Sequence, residues 1–169
     1  RIEGNQPMWN DDRSLCIVYN GEIFNVHEIQ EQEKFICKTK TDTEVLLRYF
    51  ERYGIDCFSR VRGMFACAIY HTTEDQWTLA RDTSGIKPLF LAYPKGILHF
   101  ASEMRALMHA FAEKPNINYR SLSNFLRLQY VPGPETMCEG IENLPAGTIL
   151  VWQRGKEKRY AFQRKEKDD

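Results

Sequence analysis

Tyr19-Asn20-Gly21-Glu22-Ile23-Phe24-Asn25, preceded by the apolar run Leu15-Cys16-Ile17-Val18, is the stretch whose reading decides the fold. Residues 14–19 read as a β-strand that runs into Asn-Gly, the dipeptide best suited to φ > 0, so a sharp turn is expected at Asn20-Gly21. Asn20 supplies a side-chain amide donor and Gly21 an unobstructed backbone N–H. Two such donors aimed at one spot make an oxyanion hole. Taken locally, the same dipeptide is also an ordinary hairpin turn without chemistry, and only its surroundings can favour the first reading.

Working outward, a helix is expected over Val26–Glu33 and a short strand over Lys34–Cys37. Thr41-Asp42-Thr43-Glu44 then precedes Val45-Leu46-Leu47-Arg48-Tyr49-Phe50, whose apolar spacing predicts an amphipathic helix ending at Gly54. Thr41 or Asp42 would cap it. A cap is the better local reading of Asp42, and the functional one is a carboxylate facing a ligand's ammonium group. Beyond a loop or helical turn at Cys57–Arg60, Met64-Phe65-Ala66-Cys67-Ala68-Ile69-Tyr70 is apolar on both faces, the pattern of a strand buried within a layered domain. Gln76–Ala80 is its expected hairpin partner, and Arg81 and Asp82 read as an ion pair anchoring the next turn. Strands at Phe90–Tyr93 and Ile97–Ala101, a helix starting at a cap-like Ser102, a helix over Tyr119–Leu128 and a strand at Thr148–Trp152 complete the reading. Residues 1–152 form the expected domain, and 153–169 a polar tail or the start of a linker.

Composition narrows the class. With 169 residues, 43% of them hydrophobic, the chain can bury one core, and 23 basic residues balance 23 acidic ones. Such a balance gives no electrostatic footprint for nucleic acid or an anionic membrane, and no apolar run approaches the roughly 18 residues needed to span a bilayer. A soluble, cytoplasmic protein is expected. Five cysteines, Cys16, Cys37, Cys57, Cys67 and Cys138, stand at irregular spacing without a Cys-x-x-Cys pair and read as free thiols in a reducing compartment. His27, His71, His99 and His109 show no metal-ligand spacing, so no metal site is expected.

Five segments in order then resemble a known family: Tyr19–Asn25, Thr41–Leu47, Arg62-Gly63-Met64-Phe65-Ala66-Cys67-Ala68, Ala80-Arg81-Asp82 with Gly85-Ile86-Lys87-Pro88-Leu89, and Phe100-Ala101-Ser102-Glu103. They are similar to the N-terminal glutaminase domain of asparagine synthetases, a class II glutamine amidotransferase of the N-terminal-nucleophile type. Gln6-Pro7-Met8 and Gly140–Gly147 extend the resemblance over about residues 5–152.

The resemblance implies an α+β fold, a four-layer αββα sandwich of two antiparallel sheets. It implies that an N-terminal cysteine attacks the side-chain amide of L-glutamine, with its own α-amine as base, and releases ammonia through a thioester. Carried over by residue, Asn20 and Gly21 are the oxyanion donors, Asp42 contacts the substrate's α-ammonium, and Glu22 belongs to the glutamine pocket. No cofactor is implied in this domain. ATP and Mg²⁺ are implied in a C-terminal synthetase domain that amidates aspartate, and no Ser-Gly-Gly-x-Asp-Ser signature of such a domain occurs in the chain. A homodimer is a further implied association.

The sequence departs from the family pattern at its start. The first residue is Arg1 and not a cysteine, none of the five cysteines has the nucleophile's context, and Arg1 is too near Gln6 to be the family's pocket arginine. The expectation is a chain truncated at an N-terminal strand, inactive alone and prone to associate through an uncovered sheet edge. Two alternatives stand beside it: a non-catalytic binding or regulatory relative, and a glutaminase domain serving a sugar-phosphate or purine-precursor acceptor. Glu22 after Asn-Gly and the run Gly85–Leu89 lean towards the asparagine type.

Overall fold

A computed structural model describes residues 4–162, arranged as two compact units, one built from the chain up to Lys87 together with the part from Ala146 onward, the other from Pro88–Pro145. The α+β class with two antiparallel sheets is present, one sheet in each unit.

The first unit is organised on a six-stranded antiparallel sheet in the order β1 (Met8–Trp9), β2 (Leu15–Ile23), β3 (Gly63–His71), β4 (Gln76–Arg81), β8 (Thr148–Gln153) and β9 (Lys156–Ala161). Its central strand is β3, where Phe65, Ala66, Cys67, Ala68 and Ile69 are all buried, as its apolar run requires. Helix α1 (Val26–Glu33) and helix α2 (Asp42–Tyr53) lie between β2 and β3 in sequence. Helix α2 buries Val45, Leu46, Leu47, Tyr49 and Phe50, each worth roughly 1.5–3 kcal/mol on full burial. It stops at Gly54, and a 3₁₀ segment over Gly54–Arg60 brings Phe58, fully buried, onto Phe65 in a stacked pair with ring centroids 6.0 Å apart.

Three expectations for this unit are corrected. Asn20-Gly21 is not a turn: β2 runs unbroken through it to Ile23, with Asn20 opposite Ala66 and Gly21 opposite Phe65 on β3. The cross-strand pairing outweighs the local preference of Asn-Gly. Glycine is required by proximity instead, because a Cβ on Gly21 would lie 2.2 Å from the Met64 carbonyl oxygen and 2.7 Å from Phe65 Cα. Residues 34–37 form no strand: Lys34 ends α1 in the left-handed conformation, Ile36 is 89% exposed, and the segment pairs with no strand among the described residues.

The third correction concerns the polar tail. Residues 153–161 belong to the sheet, since β8 turns through Arg154 and Gly155, both at φ > 0 as a type I′ hairpin demands, into β9. Lys156, Lys158 and Arg159 put charge along this edge strand, which discourages further pairing. Phe162 then returns to the core with its ring 6.0 Å from that of Phe58. Residues 163–169, the rest of the expected tail, lie outside the described residues.

The second unit holds β5 (Phe90–Ala92) between β6 (His99–Ala101) and β7 (Ile141–Asn143), with helices α3 (Met104–Met108) and α4 (Tyr119–Leu128). Ala92, Leu107 and Ile141 form its small core. Glu103, not Ser102, is the N-cap position of α3, and it makes no side-chain capping bond. Asn118 caps α4 by accepting from the Ser121 N–H at 3.1 Å. On α4, Phe125 and Leu126 are 44% and 72% exposed.

Candidate functional site

The site is assembled on the free side of β2. Phe65 directs both its N–H and its C=O to Asp82, donating to the carboxylate at 3.1 Å and accepting from the Asp82 N–H at 2.8 Å. In an antiparallel ladder a residue's two backbone groups point the same way, so Gly21 and Phe65 form a non-hydrogen-bonded pair. Gly21 therefore directs its own N–H away from β3. The neighbouring outward positions agree. Tyr19 N–H donates to Gln6 Oε1 at 2.6 Å, and Ile23 N–H donates to Asp42 Oδ2 at 3.1 Å. β1 pairs only with Cys16 and Ile17 on this side. Between two occupied donors, the Gly21 N–H has no hydrogen-bond partner among the described residues.

Asp42 reaches this edge because Thr41 takes over the capping of α2. Thr41 Oγ1 accepts from the Glu44 N–H at 3.3 Å, which leaves the carboxylate of the first helical residue free to extend to β2. Its Oδ2 accepts a second hydrogen bond, 2.8 Å, from the Tyr19 hydroxyl. The helix N-terminus adds a favourable field for that negative charge. The capping alternative for Asp42 thus falls to its neighbour.

Glu44 fixes the segment that leads into the helix. It is 6% exposed and accepts from the Lys38 N–H at 2.8 Å, the Thr39 N–H at 2.6 Å and Arg48 Nε at 3.0 Å. Burial alone would raise its pKa, but these donors outweigh burial and hold it below the ordinary glutamate value.

Asn20 and Glu22 alternate with Tyr19, Gly21 and Ile23 along β2 and are solvent-exposed, whereas Ile17 and Ile23 are buried. Asn20's amide has no hydrogen-bond partner among the described residues. Of the sequence-derived candidates, the structure brings Gly21 and Asp42 to one strand edge. It sets Asn20 and Glu22 on the adjoining exposed face.

Two residues of strand separate Gly21 from Ile23, about 6.6 Å at 3.3 Å each. An N–H donor and a carboxylate at that spacing can hold an amide carbonyl at one end of a short chain and an ammonium at the other. Among the five cysteines, Cys67 lies opposite Tyr19 on β3, and burial pushes its thiol up to about 12; Cys57 is likewise raised by burial. A thiol so placed is no nucleophile near neutrality.

The turn after β4 secures β3 on the side away from β2. Asp82, fully buried, accepts from the N–H groups of Phe65, Ser84, Ile86 and Lys87. Arg81 donates from Nε to the Lys87 carbonyl at 2.8 Å and from Nη2 to the Gly85 carbonyl at 2.6 Å. The two residues expected as an ion pair thus each stitch the turn through backbone groups. Sequence reasoning missed Tyr19, whose only signal is its alternation onto the face of Ile17 and Ile23, and Gln6, which carries no local sign of its partner.

The family described as a glutamine amidotransferase domain matches residues 1–163. Asparagine synthetase [glutamine-hydrolyzing] 1 of Bacillus subtilis strain 168 is 34% identical over 148 residues, covering 86% of this chain and 23% of that protein. Asparagine synthetase B [glutamine-hydrolyzing] of Escherichia coli K12 is 30% identical over 160 residues, 93% of this chain and 24% of that protein. The chain spans about a quarter of the length of these relatives. Among solved structures, glutamine phosphoribosylpyrophosphate amidotransferase from B. subtilis, complexed with ADP and GMP, superposes with a TM-score of 0.67 over 95% of this chain and 32% of that one, at 21% identity. That likeness shows a shared fold.

Proposed function

The chain belongs to the glutamine amidotransferase domain family, and on that premise we propose that it binds L-glutamine along the free edge of β2 for release of ammonia. The observation that carries this reading is the open Gly21 N–H, flanked by occupied donors, with the Asp42 carboxylate two residues along the same edge. Gly21 N–H and the Asn20 amide stabilise the oxyanion as a thiolate adds to the amide carbon. Asp42 holds the α-ammonium, and Glu22 borders the pocket. Collapse of the adduct expels ammonia and leaves a thioester, which water cleaves to glutamate. The nucleophile in this reading is an N-terminal cysteine, a residue that is neither Arg1 nor any of the five cysteines present.

The sequence relatives favour aspartate as the ammonia acceptor, activated with ATP and Mg²⁺ by a synthetase domain of a longer protein. The fold likeness to an amidotransferase acting on phosphoribosylpyrophosphate does not discriminate between acceptors. The test is glutamate and asparagine formation by the full-length protein supplied with glutamine, aspartate, ATP and Mg²⁺. Asn20→Ala should lower glutamine turnover by roughly 10²–10³, the usual cost of one oxyanion donor. Unchanged turnover in that variant would refute the assignment, and glutamine binding without any turnover would favour the non-catalytic alternative.

A further inference from the structure

The Asp42 carboxylate is held unevenly. Its Oδ2 accepts from the Tyr19 hydroxyl at 2.8 Å and the Ile23 N–H at 3.1 Å, while Oδ1 accepts no hydrogen bond among the described residues. Tyr19 and Ile23 are four residues apart, about 13 Å of strand. A single oxygen bonded to both closes that span, so the Tyr19 side chain extends along β2 towards Ile23. The phenol is half-buried, and burial, followed by the bond to Asp42 and the charge of Glu22, raises its pKa far above the ordinary range. It therefore remains a proton donor throughout the range in which an amidotransferase works.

We propose that Tyr19 is a positioning residue for substrate recognition: its hydroxyl, with the Ile23 N–H, fixes Asp42 Oδ2 so that Oδ1 is presented to the α-ammonium of a bound amino acid. This rests on the reading of the β2 edge as a glutamine site. Asp42 sits at the first position of α2, and without the phenol a single backbone N–H holds its side chain. The carboxylate then keeps its charge and loses its aim. Tyr19→Phe keeps the ring and removes only the donor.

The experiment is steady-state glutamine hydrolysis by the full-length protein carrying Tyr19→Phe, Asp42→Asn or both, with 4-carbamoylbutanoate, which is glutamine without its amine, as competitive inhibitor. Tyr19→Phe should raise KM for glutamine about tenfold with kcat little changed, the fold-change of one hydrogen bond to a charged group. The inhibition constant of the amine-free analogue should stay at the wild-type value, and Asp42→Asn should show the same selectivity. The double variant should lose little more than Asp42→Asn alone.

An equal loss for glutamine and its analogue would overturn the proposal in favour of a general structural role. A selective loss in Asp42→Asn with none in Tyr19→Phe would overturn it while leaving the glutamine reading intact. Should Tyr19→Phe fold poorly, the wild-type chain still decides by NMR. A slowly exchanging Tyr19 hydroxyl proton that shifts with glutamine and not with the analogue supports the proposal; a freely exchanging one overturns it. Failure of the wild-type protein to bind or hydrolyse glutamine would remove the underlying reading and this inference together.

Discussion

Replacing Gly21 by alanine separates two reasons for a glycine at that position. Were Asn20-Gly21 a surface turn, the added methyl would meet solvent, and only the backbone conformation would resist it. In the structure an ideal Cβ there lies 2.2 Å from the Met64 carbonyl oxygen, 2.7 Å from Phe65 Cα and 2.8 Å from Phe65 Cβ. Real Cβ contacts essentially never fall below 3.0 Å, so β2 and β3 must part, and the nearest atoms are backbone that cannot swing aside. Overpacking costs about 1–3 kcal/mol, and an L residue near φ +156° adds about 1–3 kcal/mol, so a total of roughly 2–6 kcal/mol is expected. That is a large part of a typical stability of 5–15 kcal/mol.

The assay is urea unfolding followed by tryptophan fluorescence, with Gly54→Ala as the comparison. Gly54 has φ +55° and ψ −140° and nothing within 4 Å of an added Cβ, so only the conformational cost of about 1–3 kcal/mol applies. In a thermal melt the Gly21→Ala loss corresponds to a fall of about 4–24 °C. Gly63→Ala should show the overpacking part of that loss without the conformational part, because its Cβ would lie 2.3 Å from the Glu22 carbonyl oxygen across the same strand pair and its φ is not positive. A Gly21→Ala variant no less stable than Gly54→Ala would refute the close-approach argument.

Three further outcomes follow from side-chain environments. Asp82→Asn turns an N–H donor group towards backbone N–H groups that now share a carboxylate, so the melting temperature should drop by an amount equivalent to about 2–4 kcal/mol; a change below about 1 kcal/mol would contradict the assigned role. Glu44 has a folded-state pKa below its unfolded value near 4.5, so it contributes stability that is fully present above that value and is lost as pH falls through the folded-state pKa. Urea midpoints measured from pH 6 down to pH 3 should fall less steeply in Glu44→Gln, and an unchanged slope would remove Glu44 from the account. Cys57 and Cys67 should resist alkylation at pH 7.5 in the folded chain and react once it is denatured, as read by peptide mass; labelling of Cys67 at the rate of a free thiol would contradict its burial.

Where short-range signals and long-range packing agree, the sequence was legible. The cap at Thr41, the apolar stripe from Val45 to Phe50 and the stop at Gly54 all lie within one element, and α2 forms as read. The doubly apolar run of β3 announced a central strand without any knowledge of its neighbours. Asn20-Gly21 was misread because its local preference for a turn opposes a nine-residue pairing with β3 that is visible only in three dimensions. Residues 153–161 were misread because an exposed charged edge strand has the composition of a tail.

The candidate site divides along the same line. Gly21 and Asp42 were singled out from their own chemistry and from a resemblance to known amidotransferases, and the fold brings them to one edge of β2. Tyr19 and Gln6 were not singled out, because their contributions are bonds to residues 23 and 13 positions away, respectively. Asp82 was recognised as structural, yet the donors it serves come from a different strand and from three positions of the following turn.

The central claim is that the open N–H of Gly21 is where glutamine's amide carbonyl is received, and the most direct test is a titration of the ¹⁵N-labelled chain with L-glutamine, observed amide by amide. The account predicts that the Gly21 resonance moves most, with Ile23 beside Asp42 following it, while amides of β9 stay in place. Saturating glutamine that leaves Gly21 unmoved, or shifts confined to residues away from β2, would contradict it.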